Sequence, residues 1–184
     1  MPAIVSLLRA VNLGSHNKIK MESLRDLYLK LGLRHAQTYV QSGNVVFETR
    51  STDLVKLARK IEDALDETFA IRTPVILRTT ADLRSVVKRN PFAGQFEILP
   101  NHLLVSFLRE HPDAEAPDRL AKIKAHPDIL HLDARELYIY YNAGAGKTKL
   151  TPAALERALK IPGTARNWNT ILKLLEMSEA IDAR

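Results

Sequence analysis

An α+β fold of antiparallel sheets covered by helices is what this sequence predicts, and three observations carry the expectation. Apolar residues make up 46% and charged residues 26% of the 184-residue chain, a globular balance. Short β-rich runs alternate with stretches whose apolar residues recur at helical spacing. Over residues 1–79 the order of these runs is strand, helix, strand, strand, helix, strand. In that order, two helices can cover one face of a four-stranded antiparallel sheet.

The first half reads as follows. Ala3 to Leu8 is short and apolar, a buried strand, and leads into a loop from Arg9 to Lys20 with Asn12, Gly14, Ser15 and Asn17. Met21, Leu24, Leu27, Tyr28 and Leu31 mark a helix that Gly32 stops. Thr38 to Gln41 and Asn44 to Glu48 flank Ser42-Gly43, the signal of a two-residue hairpin or of one strand with a glycine bulge. Ser51 or Thr52 is the expected cap of a helix whose apolar stripe is Leu54, Leu57, Ala58, Ile61, Leu65 and Phe69. Pro74 to Arg78 is a strand with its proline at the start.

The second half opens with a helix over Ala81–Lys88, capped by Thr79 or Thr80, and Asn90-Pro91-Phe92 breaks it. Leu103 to Leu108 is a strand, a short helix lies around Leu120 and Ile123, and Ile129–Leu132 with Glu136–Tyr141 form a hairpin. Thr151-Pro152 opens a helix as N-cap and first residue. Trp168, Ile171, Leu172 and Leu175 mark a final helix. The chain is thus expected to form two tandem ferredoxin-like (α/β-plait) halves, residues 1–79 (βαββαβ) and 80–184 (a helix, then βαββα, plus a C-terminal helix). No internal sequence repeat is visible; the duplication rests on element order.

Charge and composition narrow the function classes. The chain has no cysteine, which excludes disulfides, thiolate nucleophiles and cysteine-ligated zinc. The six-residue run Ala3–Leu8 is too short for a signal-peptide core or a membrane span, so the cytoplasm is the expected compartment and no membrane partner is expected. The net charge of +6 favours anionic partners. The excess concentrates in two places. Arg9, Lys18, Lys20, Arg25, Lys30 and Arg34 face only Glu22 and Asp26. Lys147, Lys149, Arg157, Lys160, Arg166 and Lys173 face only Glu156.

Three segments carry candidate binding residues. In Tyr141-Asn-Ala-Gly-Ala-Gly-Lys147-Thr148 a strand end meets a glycine-rich loop that approaches the phosphate-loop pattern GxxxxGK[ST]. Tyr141 stands where that pattern needs glycine, and the following helix starts late, at Thr151. Lys147, Thr148 and Lys149 are still the expected anion ligands, against the simpler reading of a basic surface loop. In Thr164 to Thr170, a helix would place Arg166, Asn169, Thr170 and Lys173 on one face opposite Trp168. Arg166, Asn167 and Asn169 could then grip a phosphate or carboxylate; the plainer roles are a surface ion pair for Arg166 and a helix cap for Asn167. Arg9, Asn12, Asn17 and Lys18, with Gln41, Ser42 and Asn44, sit in loops at strand ends, where ligands commonly bind. Turn chemistry weighs more for the asparagines, and also for Gln41 and Ser42.

Recognisable catalytic and metal sets are missing. His16, His35, His102, His111, His126 and His131 show no metal-ligand spacing, so no metal and no cofactor is expected. Ser42 has no GxSxG context. Asp63, Asp66 and Glu67 read as a solvated helix face. Tyr138 and Tyr140 share one face of their strand and read as core, and no strand carries the aromatic pattern of an RNA-binding sheet.

A family resemblance rests on these same residues. Arg9-Ala-Val-Asn-Leu-Gly14 with Asn17-Lys18 and Met21, Thr38-Tyr-Val-Gln-Ser-Gly-Asn-Val-Val-Phe47, Asn90-Pro-Phe92, Thr148-Lys-Leu150 and Thr164-Ala-Arg-Asn-Trp-Asn-Thr-Ile-Leu-Lys-Leu174 resemble, in order and over nearly the whole chain, the family called domain of unknown function 1697. The resemblance implies a bacterial origin and a tandem α/β-plait fold, and it implies no activity. The leading functional expectation is therefore binding of an anionic ligand, a nucleotide or nucleic acid, through basic, amide-rich loops. The alternatives are an enzyme acting on a small phosphorylated or carboxylated metabolite, clamped by Arg9, Lys18, Lys149 and Arg166, or a structural or assembly protein. The sequence does not set the oligomeric state.

Overall fold

The computed structural model describes residues 1–13, 17–148 and 150–184. The chain forms two compact units, Met1–Ser85 with Lys173–Arg184, and Val86–Leu172. The first contains β1 (Ala3–Leu8), α1 (Met21–Lys30), β2 (Arg34–Tyr39), β3 (Asn44–Glu48), α2 (Leu54–Phe69) and β4 (Val75–Thr79). A helix α3 (Thr80–Lys88) then runs into the second unit, which holds β5 (Leu103–Leu108), α4 (Ala116–Ala121), β6 (Ile129–Asp133), β7 (Glu136–Tyr140), α5 (Pro152–Leu159) and β8 (Gly163–Asn167). The last helix, α6 (Trp168–Asp182), returns to the first unit.

The two sheets are wired identically. Their strand orders are β2-β3-β1-β4 and β6-β7-β5-β8, every neighbour antiparallel. This is the tandem plait expected from the order of elements, with one addition. The sequence placed Thr164 to Asn167 at the start of the last helix, whereas the structure makes it the strand β8, paired with β5. The hydropathy of this strand is inverted, with Thr164 and Arg166 buried and Ala165 exposed between them, so the usual sign of a half-buried strand is absent. Gly163 permits the pairing, since a Cβ there would come within 2.4 Å of Ser106 Oγ.

Local chemistry sets the element ends. In α1, Gly32 takes φ +80° and Leu33 N–H donates back to the Tyr28 carbonyl at 3.1 Å, closing the helix. Asp53, rather than Ser51 or Thr52, caps α2, accepting from Lys56 N–H at 2.9 Å. A carboxylate there both takes an orphan amide and complements the positive helix end. Thr79 and Asp82 cap α3 reciprocally, at 3.0 and 2.9 Å. The β2–β3 connection is a four-residue loop, Val40–Gly43, not a two-residue turn. Gly43 is held against β1, where its carbonyl accepts from Leu8 N–H at 2.9 Å and an added Cβ would meet Val11 at 2.4 Å. Strand pairing consequently begins only at Tyr39 and Asn44.

In the first core, Ile4, Leu8, Val45, Phe47 and Leu77 of the sheet meet Leu24 and Tyr28 of α1 and Leu57, Ile61 and Leu65 of α2. Each large side chain so buried contributes about 1.5–3 kcal/mol. The second core joins Leu108, Leu137 and Ile139 to Leu120 of α4 and Leu155 and Leu159 of α5. The opposite faces of the sheets are buried as well: Val5, Leu7, Val46 and Ile76 in one, Leu103, Val105, Phe107 and Tyr138 in the other. In α6 the buried line runs through Trp168, Ile171, Leu174, Ser178 and Ile181, while Leu172, expected on the stripe, is 40% exposed.

Candidate functional site

The loops at one end of the first sheet form a self-bonded cluster. Asn12, at φ +55°, uses its whole amide on backbone. Its Nδ2 donates to the carbonyls of Ile19 (3.0 Å) and Gln41 (2.9 Å), and its Oδ1 accepts from Ile19 N–H (2.8 Å). Asn17 Nδ2 donates to the Ala10 carbonyl at 3.1 Å. Asn44 is buried, and its Nδ2 donates to the Tyr39 carbonyl and Ser42 Oγ, both at 3.0 Å. The Arg9 carbonyl accepts from the Thr73 hydroxyl. Asn12 and the Gln41 carbonyl are thus brought together, as are Ser42 and Asn44, and the amides of Asn12 and Asn44 are spent on holding the loops. Lys18 and Gln41 remain exposed at the rim. Gly14, Ser15 and His16 lie outside the described residues.

The glycine-rich loop already holds an anion, and it is the protein's own. Asp128 accepts from Asn142 N–H at 2.9 Å through one carboxylate oxygen and from the Thr148 hydroxyl through the other. Thr148 Oγ1 also accepts from Leu150 N–H at 2.9 Å. Ala145–Lys147 forms a 3-10 turn, and α5 begins only at Pro152 after its cap Thr151. Lys147 is exposed. Lys149 lies outside the described residues.

Arg166 is the largest departure from the expected layout. It sits on a strand, 6% exposed, where one terminal nitrogen donates to Thr164 Oγ1 at 2.6 Å and to the Ala165 carbonyl at 3.0 Å. Burial pushes its guanidinium down to about 10, still charged at neutral pH. Asn167 Oδ1 accepts from Asn169 N–H at 3.0 Å, and its Nδ2 donates to the Asn101 carbonyl at 3.0 Å. It therefore ties the start of α6 to the turn before β5. Asn169 is exposed on that helix. Arg166 and Asn169 do not share a helix face, because one precedes the helix.

A cavity of about 890 Å³ opens at the other end of the first sheet, away from the Arg9–Gln41 loops. Residues 31–34, 48–51 and the outer face of α2 from Lys56 to Glu67 line it. Arg34, Arg50, Lys56 and Arg59 are exposed cations whose side chains make no ion pair or hydrogen bond among the described residues. Lys60 donates to the Leu31 carbonyl at 3.3 Å. Glu48, Asp63 and Glu67 are the acidic lining residues. The groove contains none of Arg9, Lys18 or Arg166. In the sequence Arg34 stands only within a charged stretch, and Asp63 and Glu67 read as a solvated face. The signal that could have singled out the α2 residues is their i, i+4 spacing, with Lys56, Lys60 and Asp63, Glu67 forming a basic then an acidic half-face.

Among the described residues no group of histidine, aspartate and glutamate side chains could hold a metal ion, and no helix is long and apolar enough to cross a membrane.

The fold and its loops define an α+β protein of two tandem plaits. The model of the family described as protein of unknown function (DUF1697) matches residues 1–138, and the chain belongs to that family. Among solved structures, the conserved bacterial protein SP0830 from Streptococcus pneumoniae is similar with a TM-score of 0.75 and 21% identity, over 96% of this chain and 98% of that one. At that identity the likeness speaks for the fold. No curated protein matches the chain.

Proposed function

We propose that this protein binds a small anionic ligand, carrying phosphate or carboxylate, in the groove between α2 and the ends of β2 and β3. The observation that carries this reading is the convergence on one cavity of about 890 Å³ of four cations, Arg34, Arg50, Lys56 and Arg59, that have no partner among the described residues. That volume suits a nucleotide-sized molecule, and guanidinium groups suit the planar oxyanions such a molecule carries.

A small ligand is favoured over single-stranded nucleic acid on two grounds. The groove has no aromatic lining residue to stack bases on. The central strands β1, β3 and β7 are buried on both faces and β5 exposes none of its residues, so the open-sheet mode of RNA binding has little surface to use.

The test is calorimetric titration with pyrophosphate and ADP at low ionic strength, on the wild type and on Lys56→Glu/Arg59→Glu. Binding that the double reversal weakens at least about tenfold, with no change in melting, supports the reading. No binding of either anion, or binding indifferent to the reversal, sinks it. Tight, steeply salt-dependent binding of an RNA or DNA oligonucleotide would put nucleic acid in place of the small ligand.

A further inference from the structure

Ser6 and Ser106 hold equivalent positions in the two sheets, yet only Ser6 is covered. Ser6 on β1 is the register partner of Val45 and Leu77, and Ser106 on β5 is that of Leu137 and Ala165. In the first unit the space over the serine is full. The Tyr28 side chain reaches in from α1, with its hydroxyl 2.7 Å from Ser6 Oγ and its ring edge-on to Phe47. In the second unit three counterparts are smaller. By the same registers Ile139 stands for Phe47, Ala165 for Leu77 and Gly163 for Val75. The helix is shorter too: α4 has 6 residues where α1 has 10, and none of them lines the space. A cavity of about 60 Å³ is left between these strands and Leu155 and Leu159 of α5. Alternation along β5 puts Ser106 on the face of Leu104 and Leu108, which pack into the core beneath α4 and α5. Ser106 and Tyr141 both line the cavity, and the hydroxyl of neither has a partner among the described residues. Tyr141 is 5% exposed. A hydroxyl on so buried a ring is ordinarily paired, and these walls supply no pair.

We infer that this cavity is a second binding site, for a small neutral ligand with a branched aliphatic body and a hydroxyl or carbonyl oxygen. The body lies against Ile139, Leu155 and Leu159. The oxygen bonds Ser106 Oγ, the part that the Tyr28 hydroxyl plays toward Ser6, and Tyr141 offers a further donor. At about 10–15 Å³ for each water-sized group, the space holds roughly four or five heavy atoms, the size of a butanol. The charged residue of the described lining is acidic, Glu156, which disfavours carboxylates and phosphates. The ligand class therefore differs from the one proposed for the groove along α2, and the two sites stand or fall separately.

The test is an NMR titration of methyl-labelled protein with isobutanol, using isobutyrate as the anionic control. Isobutanol should shift the methyls of Ile139, Leu155 and Ala165 saturably and give intermolecular NOEs to them; isobutyrate should do neither. Ala165→Leu, which supplies the side chain that the first unit carries as Leu77, should fill the space and abolish the shifts. Ser106→Ala keeps the cavity and should weaken isobutanol binding about two- to tenfold, the scale of one neutral hydrogen bond. The absence of a saturable shift in the wild type overturns the inference and leaves the cavity to water. NOEs to methyls elsewhere in the protein, or equal binding of isobutyrate, overturn it as well. The wild-type NOEs decide the matter even if Ala165→Leu does not fold.

Discussion

Arg78 and Arg166 hold the same position in two different sheets. Arg78 on β4 is the register partner of Val5, and Arg166 on β8 is the register partner of Val105. They are 1% and 6% exposed, and each donates to the carbonyl of the residue before it, at 3.0 Å in both cases. A guanidinium so deeply placed brings a large desolvation cost and a set of groups built to receive it. Truncating either should leave buried acceptors unmatched. Arg78→Ala and Arg166→Ala are each expected to lose about 2–4 kcal/mol of stability, read by chemical denaturation. A variant that unfolds with the wild type would show that its arginine is dispensable to the fold.

Trp168 is 8% exposed at the start of α6. Trp168→Ala should cost about 3–5 kcal/mol, the range for truncating a buried aromatic. Sequence spacing puts Trp168 on the apolar face and Arg166 on an open one, which predicts that only the tryptophan variant melts early. With both buried, both variants should melt early, and thermal denaturation of the pair separates the two layouts.

Asn12 should be as sensitive as a core residue although it lies in a loop. Its amide makes all three of its bonds to backbone, and its φ of +55° is one that asparagine tolerates better than most residues. Asn12→Ala should lose roughly 2–3 kcal/mol, from three hydrogen bonds and the strained backbone together. Asn12→Gly relieves the φ and should recover part of the loss. If the alanine variant is as stable as wild type, the amide is not the staple of this loop.

The parts of this molecule that were legible in its sequence are those where polarity and burial agree. α1 and α2 carry apolar residues inward at helical period, and β1 and β4 are short runs dominated by apolar residues, so they could be placed although they also bury Ser6 and Arg78. β8 could not, because it turns Thr164 and Arg166 inward and Ala165 outward. The groove was illegible for a different reason. It gathers Arg34 from the start of β2, Glu48 and Arg50 from the end of β3, and Lys56 to Glu67 from α2. Each of these reads alone as ordinary surface charge, and only the antiparallel pairing of β2 with β3 brings them to one cavity.

The Asp128 latch makes a prediction about the glycine-rich loop. Asp128→Ala removes the acceptor of both Asn142 N–H and the Thr148 hydroxyl. The site is largely at the surface, so the stability loss should be modest, about 1–2 kcal/mol. Limited proteolysis with trypsin should show the larger effect, with faster cleavage of the bond after Lys147, next to Thr148. Unchanged cleavage would mean that the loop is held by something other than Asp128.

Stability should fall in alkali, and the sign follows from which groups hold their protons in the native state. Burial raises the phenols of Tyr28, Tyr138 and Tyr141; at Tyr28 the bond with Ser6 Oγ, 2.7 Å away, offsets part of the rise. Unfolded phenols ionise near about pH 10. Above that pH the unfolded chain releases protons that the native state keeps, so these tyrosines contribute stability that is complete below about pH 10 and lost as pH climbs toward their native values. Arg166 acts the other way: its native guanidinium, pushed down to about 10, releases its proton before the unfolded one does. Over the same window it favours the native state. Three raised phenols against one lowered guanidinium give a net loss. Urea denaturation at pH 8, 10 and 11 should therefore show a falling midpoint, and Tyr28→Phe should flatten the fall. Phenolate absorbance of the native protein should lag that of the urea-unfolded protein over the same range. A midpoint that rises between pH 10 and 11 would mean that the arginine outweighs the tyrosines.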